Sequence, residues 1–202
     1  ERYIFSNFIF VNCGSNYVIM MEDSGFILNK TEYGDYDIIG TFYTAYSGKI
    51  NLLVKNAKKS KKRFLGKLEP FNLINLNFKY NDRNNLNLLE SANLDDDSRF
   101  CELDTKIIVL SSLINEYIQN FEEDKNPNKK KFDFIKTFFL RHKKNNYSLC
   151  LNETIKFQIR YLKELGIEPI INKCLKCNCV LKEITYFDLR NGGSLCIPCQ
   201  KS

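Results

Sequence analysis

Residues 73–78 read Leu73-Ile74-Asn75-Leu76-Asn77-Phe78. From Ile74 onward apolar and polar side chains take turns. Period-two alternation marks a strand that buries one face and wets the other. The run containing it, Phe71–Tyr80, is one of five β-prone stretches. The others are Gly25–Leu28, Asp37–Tyr43, Lys49–Val54 and Leu86–Glu90, with Gly34 and the Ser47-Gly48 pair marking turns between them. Five short strands within about 75 residues suit a small closed Greek-key barrel.

Of the small barrels, the OB-fold fits this pattern, and an SH3-like barrel would share its signature. Beyond residue 103 the period becomes helical. Asp104 can N-cap a helix whose apolar positions are Ile107, Leu110, Ile114, Tyr117, Ile118 and Phe121. Asn126-Pro127-Asn128 reads as a turn. A second helix is predicted over Lys130–His142, with Phe134, Ile135, Phe138 and Phe139 inward. A third is predicted over Leu149–Leu165, burying Leu151, Ile155, Ile159 and Leu162. Gly166 stands where a C′ glycine belongs, and Pro169 prevents resumption. The class is therefore α+β. Residues 1–22 form an unassigned extension, residues 23–102 an OB-fold nucleic-acid-binding domain, and residues 103–202 a helical domain.

The chain has 202 residues, with 30 Lys+Arg against 24 Asp+Glu and a formal net charge of +6. Phe is plentiful at 16, whereas Gly numbers 9, Pro 4 and Trp none. That composition excludes wholesale disorder and collagen. The most apolar stretch, residues 3–21, is broken by Ser6, Asn7, Asn12, Ser15 and Asn16, whereas a membrane span needs about 20 mostly apolar residues. It opens with Glu1 and Arg2 and lacks the apolar centre of a signal peptide. A cytoplasmic protein is expected. Charge is segregated: residues 41–80 hold nine cations and one anion, Glu69, while residues 81–104 hold seven anions.

Five of the eight cysteines lie between Cys174 and Cys199. Cys174-Leu-Lys-Cys177, eighteen further residues, then Cys196-Ile-Pro-Cys199 is the spacing of a structural zinc site. Each CxxC turn presents two thiolates, and Zn²⁺ takes four ligands in a tetrahedron. A four-cysteine zinc finger over residues 170–202 is expected, with Cys179 unligated and no position open to substrate. The second cluster is Lys55, Lys58, Lys59, Lys61, Lys62 and Arg63, with Lys49 just upstream. On a barrel rim these cations would neutralise phosphates and release counterions. Phe42, Tyr43, Tyr46 and Phe64 could stack bases, although most such aromatics serve a core. Arg141, Lys143 and Lys144 read as a solvated helix end, His142 beside them as a surface cation, and Asp95-Asp96-Asp97 as a solvated turn. No phosphate-loop, dinucleotide or zinc-protease motif occurs. A non-enzymatic protein is expected.

Taken in order, these features resemble the RecO family of bacterial recombination mediators, over about residues 24–200. The resemblance rests on Gly25-Phe-Ile-Leu28, Tyr33-Gly34-Asp35, Thr44 with Ser47-Gly48-Lys49-Ile50, the basic stretch and Pro70-Phe71. It continues through Leu165-Gly166-Ile167-Glu168-Pro169 and the paired CxxC with Gly192-Gly193 ahead of the second pair. It implies an N-terminal OB-fold and a helical domain with an inserted zinc site. It also implies single- and double-stranded DNA binding, strand annealing, and work with RecR and single-stranded-DNA-binding protein to load RecA, near the nucleoid. Three departures stand out. Asn56 stands where the family usually has Gly, residues 1–20 have no family counterpart ahead of Met21, and the family continues for several helices past the zinc site. Barrel and charge serve DNA and RNA alike, so a zinc-ribbon module binding RNA or protein in translation or transcription is the alternative reading. A metal-dependent nucleic-acid enzyme would need His and carboxylate ligands that this sequence lacks.

Overall fold

The computed structural model describes the backbone of residues 2–5, 8–13, 16–60, 62–80, 86–95, 104–182 and 186–200, with side chains from residue 19 onward. Three strands open the chain: β1 (Arg2–Phe5), β2 (Phe8–Cys13) and the long β3 (Asn16–Tyr33). They are followed by β4 (Asp37–Thr44), β5 (Gly48–Val54), β6 (Leu73–Tyr80) and β7 (Leu86–Leu94). The sheet order is β1-β2-β3-β4-β5-β7-β6, and β6 returns to pair with β3. Five strands therefore close on themselves, β3-β4-β5-β7-β6-β3, with β5 and β7 parallel and the other neighbours antiparallel. This is the OB barrel. The length of β3 makes closure possible: residues 19–26 pair with β6, while residues 25–33 pair with β4 along the other edge.

Alternation drives the closure, because each strand must turn one side away from water. Along β5 the even positions Ile50, Leu52 and Val54 point inward, and along β6 Ile74, Leu76 and Phe78 do so. They pack with Met21, Ile27, Phe42, Leu89 and Ala92, and with Phe64 and Leu68 from the connection after β5. On β7 the buried positions switch from Asn87 and Leu89 to Ala92, because the β6–β7 register shifts between Asn77 and Phe78. One extra residue at a bulge changes which parity faces the core.

A second bulge, in β3, joins the barrel to the helices. Ile27 pairs with Phe42 but Asn29 with Thr41, so Leu28 has no partner across β4. Its carbonyl is taken up from outside the barrel. Helix α1 (Thr105–Phe121) donates from Asn115 Nδ2 at 2.8 Å and from Gln119 Nε2 at 3.0 Å to the Leu28 oxygen. Outward-facing Phe26 and Tyr43, with Phe71, meet helix α2 (Lys129–Lys144). Phe26 lies 5.6 Å from Phe132 and 5.1 Å from Phe139, ring to ring, and Phe71 lies 5.4 Å from Phe139. Such pairs add about 0.5–1.5 kcal/mol each beyond area burial. Asp104 and Asn128 cap α1 and α2, accepting from Lys106 N and Lys131 N.

The structure corrects three sequence-based expectations. His142 is buried: its ring sits 4.0 Å from that of Phe138, and its Nδ1 shares a hydrogen bond of 3.1 Å with Ser111 Oγ on α1. Helix α1 buries Ile107, Ser111, Ile114, Asn115 and Ile118, while Phe121 is exposed. The polar residues belong to the inner stripe because partners await them there. Helix α3 (Tyr147–Glu164) buries Cys150, Thr154, Phe157 and Tyr161 instead of Leu151 and Ile155, which are exposed. Two stripes compete on this helix, and the one carrying the stacked Phe157–Tyr161 pair is buried. The helix ends in a Schellman motif at Gly166 (φ 78°), with Ile167 N donating to Leu162 O and Gly166 N to Lys163 O.

The chain divides into two compact units, residues 1–150 and 151–202. Helices α1 and α2 share the first unit with the barrel. Residues 96–103 lie outside the described residues, and with them most of the Asp95–Asp97 turn. No helix of the described residues is long and apolar enough to cross a membrane.

Removing the donors to Leu28 tests this joint. Asn115→Ala is expected to lower unfolding stability by about 1 kcal/mol, and Asn115→Ala with Gln119→Ala by about 1–3 kcal/mol, because a buried carbonyl then lacks a partner. Denaturant midpoints at unchanged slope would report it.

Candidate nucleic-acid interface and metal centre

The basic stretch leaves the barrel at the end of β5. Asn56 adopts the left-handed conformation (φ 55°, ψ 31°), which Gly adopts freely and Asn tolerates best among the other residues. The backbone shape a glycine would allow is thus kept. Asn56 N donates to Asp37 Oδ1 at 2.7 Å and Lys58 N to Tyr36 O at 3.1 Å, so the loop is tied to the β3–β4 turn. A single 3-10 turn follows at Ala57–Lys59.

Each cation is placed differently. Lys59 Nζ stands 3.3 Å above the Tyr36 ring, a cation–π contact that presents the charge outward. Arg63 donates through Nη2 to Lys55 O at 3.2 Å, and its guanidinium lies 4.9 Å from the Phe64 ring. Lys58 pairs with Glu32 at 3.0 Å, an exposed pair of the kind worth at most about 1 kcal/mol that a phosphate can displace. Lys55 and Lys62 are exposed, and with Lys59 and Arg63 they make no ion pair among the described residues. Lys61 lies outside the described residues.

Lys49 is separate from this group. Its side chain is 16% exposed, donates to Gln119 O at 3.0 Å and pairs with Asp124 at 3.3 Å. Its backbone oxygen accepts from Lys125 N. Lys49 fastens β5 to the α1–α2 connection and stands apart from the exposed cations of residues 55–63. Nearby, Glu122 closes α1 and is buried against Lys131 at 2.9 Å, and Tyr43 donates its hydroxyl to Glu122. Burial, and then the Glu122 charge, push the Tyr43 phenol above its ordinary range and keep it a donor. Of the four aromatics near the basic stretch, Phe42, Tyr43 and Phe64 are core residues, and Tyr46 alone is exposed, at 51%. Tyr36, half exposed under Lys59, is invisible to sequence reading because its role depends on a lysine 23 positions away.

The four cysteines converge in the second unit. A hairpin of β8 (Tyr186–Asp188) and β9 (Gly193–Leu195) supports the second CxxC pair, which opens the short α4 (Ile197–Gln200). Asp188 accepts from Arg190 N, Asn191 N and Asn191 Nδ2 to shape the turn. The first pair sits in a tight knuckle, with Asn178 N donating to Cys174 O and Cys174 N to Cys179 O. Leu175 N donates to Ser194 O and ties the knuckle to β9.

The sulfurs of Cys174, Cys177, Cys196 and Cys199 all lie within 4.8 Å of one another, and those of Cys177 and Cys196 are 3.6 Å apart. A tetrahedron with bonds of about 2.3 Å has edges of about 3.8 Å, so the donor set fits a thiophilic metal ion. Cys179 is exposed and stands outside this set. The sulfurs perturb one another, and the Cys179 thiol beside them is likewise pushed up to about 12, by Cys177 first. The N–H groups of Cys177 and Cys196 donate to the Cys174 sulfur and draw its thiol down to about 6, while the Cys196 and Cys177 thiols push Cys199 up to about 12. Crowded sulfurs cannot all ionise without a cation, and a bound cation removes that obstacle.

Lys49→Met is expected to lower stability by about 1–3 kcal/mol through two lost charge-assisted bonds. Lys62→Ala is expected to stay within about 0.5 kcal/mol of the parent. Thermal or denaturant unfolding of both variants separates the anchor from the exposed rim.

The sequence matches the family model described as Recombination protein O N terminal over residues 19–96 and that described as Recombination protein O C terminal over residues 104–202. Among curated relatives, the DNA repair protein RecO of Syntrophus aciditrophicus is 30% identical over 180 residues, covering 88% of this chain and 69% of the relative. That of Desulfatibacillum aliphaticivorans is 32% identical over 184 residues, covering 87% and 70%. That of Myxococcus xanthus is 24% identical over 178 residues, covering 88% and 72%.

Proposed function

The chain belongs to the RecO family of DNA repair proteins, and from that premise we propose that it is a non-enzymatic mediator of repair and homologous recombination. It binds single- and double-stranded DNA and anneals complementary strands in the bacterial cytoplasm, at the nucleoid. With RecR it helps load RecA onto strands coated by single-stranded-DNA-binding protein. The observation that carries this reading is the cationic loop of residues 55–63, tied by backbone bonds to the β3–β4 turn and presenting Lys55, Lys59, Lys62 and Arg63 to solvent.

The mechanism is electrostatic. Two complementary strands repel through their phosphates, and a fixed row of cations lowers that repulsion while releasing condensed counterions. Phosphate contacts carry no sequence information, as a factor that must accept any broken chromosome requires. The four-cysteine centre supplies no chemistry to this step. We assign it a structural Zn²⁺ held by Cys174, Cys177, Cys196 and Cys199, which leaves no open position and ties the two halves of a unit with little apolar core of its own.

Changing Lys55, Lys62 and Arg63 together to Ala is expected to weaken binding to all sequences alike. The plot of log affinity against log salt should flatten by roughly two units for single strands, at about 0.7 per contact. Annealing of oligonucleotides coated with single-stranded-DNA-binding protein should slow in parallel. A triple variant matching the parent across the titration would move the interface elsewhere, with the Arg141–Lys144 helix end next to test. For the metal, freshly purified protein should carry one zinc per chain. Cys196→Ser should lose it and Cys179→Ser should keep it; the opposite result would overturn the ligand set.

A further inference from the structure

The end of the barrel away from the basic loop carries a cleft of about 180 Å³. Pockets for drug-sized ligands occupy roughly 300–1,000 Å³, so this one admits a single ring system. Its floor is the barrel core itself, Met21, Ile50 and Phe78. Tyr46 and Tyr80 supply aromatic surface, and Lys125 adds a cation at the margin. Lys129, ion-paired with Asp133, stands outside the lining with Nζ 6.0 Å from the Tyr46 ring.

The walls are set before any ligand arrives. Tyr46 N donates to both oxygens of buried Asp23 at 3.2 Å, and Ser47 Oγ donates to Asp23 at 2.8 Å. Gly48 has φ +70°, and a Cβ there would lie 2.7 Å from the Asn126 carbonyl carbon, so the two loops interlock. Lys125 is held at φ 57° by its N–H bond to Lys49 O. Yet the Tyr46 side chain, on this fixed backbone, is half exposed. A rigid mount, an open aromatic face, an apolar floor and a cation at the edge are what a stacked base requires.

We propose that this cleft receives one unpaired nucleobase of a bound single strand, with Tyr46 as the stacking platform. The proposal rests on the DNA-binding reading and extends it from phosphate to base. Strand β5 has 7 residues and separates basic loop from cleft by about 23 Å at roughly 3.3 Å per residue. A strand reaching from one to the other falls within the roughly 4–16 nucleotides that one OB-fold covers. Duplex DNA, with its bases paired, gains nothing from the cleft.

Anisotropy titrations of the full chain with oligo-dT and with a duplex decide the matter. Tyr46→Ala is expected to weaken single-strand binding roughly 5- to 100-fold, to leave duplex binding unchanged and to keep the parent's salt slope. Tyr46→Phe should bind like the parent. An oligonucleotide with abasic sites at alternate positions should bind the parent more weakly than the intact strand does, a comparison that needs no variant. Tyr46→Ala binding intact strands like the parent, or the abasic strand binding the parent as tightly as the intact one, would overturn the proposal. If the basic-loop variant remains weak in those cases, the DNA-binding reading survives alone. A parent that binds no DNA would sink both.

Discussion

One carbonyl governs how the first unit is built. Closing five strands into a barrel bends β3, and the bend is taken at Leu28, whose oxygen leaves the β3–β4 ladder. A buried carbonyl without a partner costs about 1–3 kcal/mol. Asn115 and Gln119 satisfy it, which requires α1 to cross the outside of the barrel there and not elsewhere. With α1 placed, Ser111 meets His142 and fixes the rotation of α2, and α2 then lays Phe132 and Phe139 on Phe26, Tyr43 and Phe71. The barrel acquires a second core on its outer face.

That arrangement divides the surface. The helices cover the aromatic patch of β3 and β4, and the α1–α2 connection is fastened to β5 through Lys49 and Asp124. The loop after β5 stays in water with its cations, buttressed by Asp37 and Tyr36. Rigid cations favour binding because less side-chain and loop freedom is lost when a phosphate backbone arrives. The four-cysteine unit solves a different problem. Its largest buried groups are few, and four sulfurs gathered within reach of one ion would, with that ion bound, replace the apolar core that so short a segment cannot assemble.

Features that depend on local rules were legible in the sequence. The alternation at Ile74–Phe78, the cap at Asp104, the C′ glycine at position 166 and the paired CxxC spacing all act within a few residues, and the structure carries each of them. What could not be read depends on tertiary partners. His142 looked like a surface cation because its neighbours in sequence are Arg141 and Lys143, whereas its neighbours in space are Phe138 and Ser111. Lys49 stands just upstream of the basic run in sequence, and beside Asp124 and Gln119 in space. The buried stripe of α3 escapes sequence reading because two apolar stripes share that helix and nothing local chooses between them.

The central claim is that helices α1 and α2 and the barrel form one cooperative unit hinged on Leu28. Native-state amide hydrogen exchange tests it most directly, because it measures the opening free energy of each segment separately. The amides of Ile114–Ile118 in α1, Ile135–Phe139 in α2 and Phe42–Tyr43 in β4 should exchange with the same opening free energy and the same denaturant dependence. Helical amides that open well below the barrel's free energy, while β3–β7 stay protected, would contradict the account and make the helices an appendage of a barrel that folds without them.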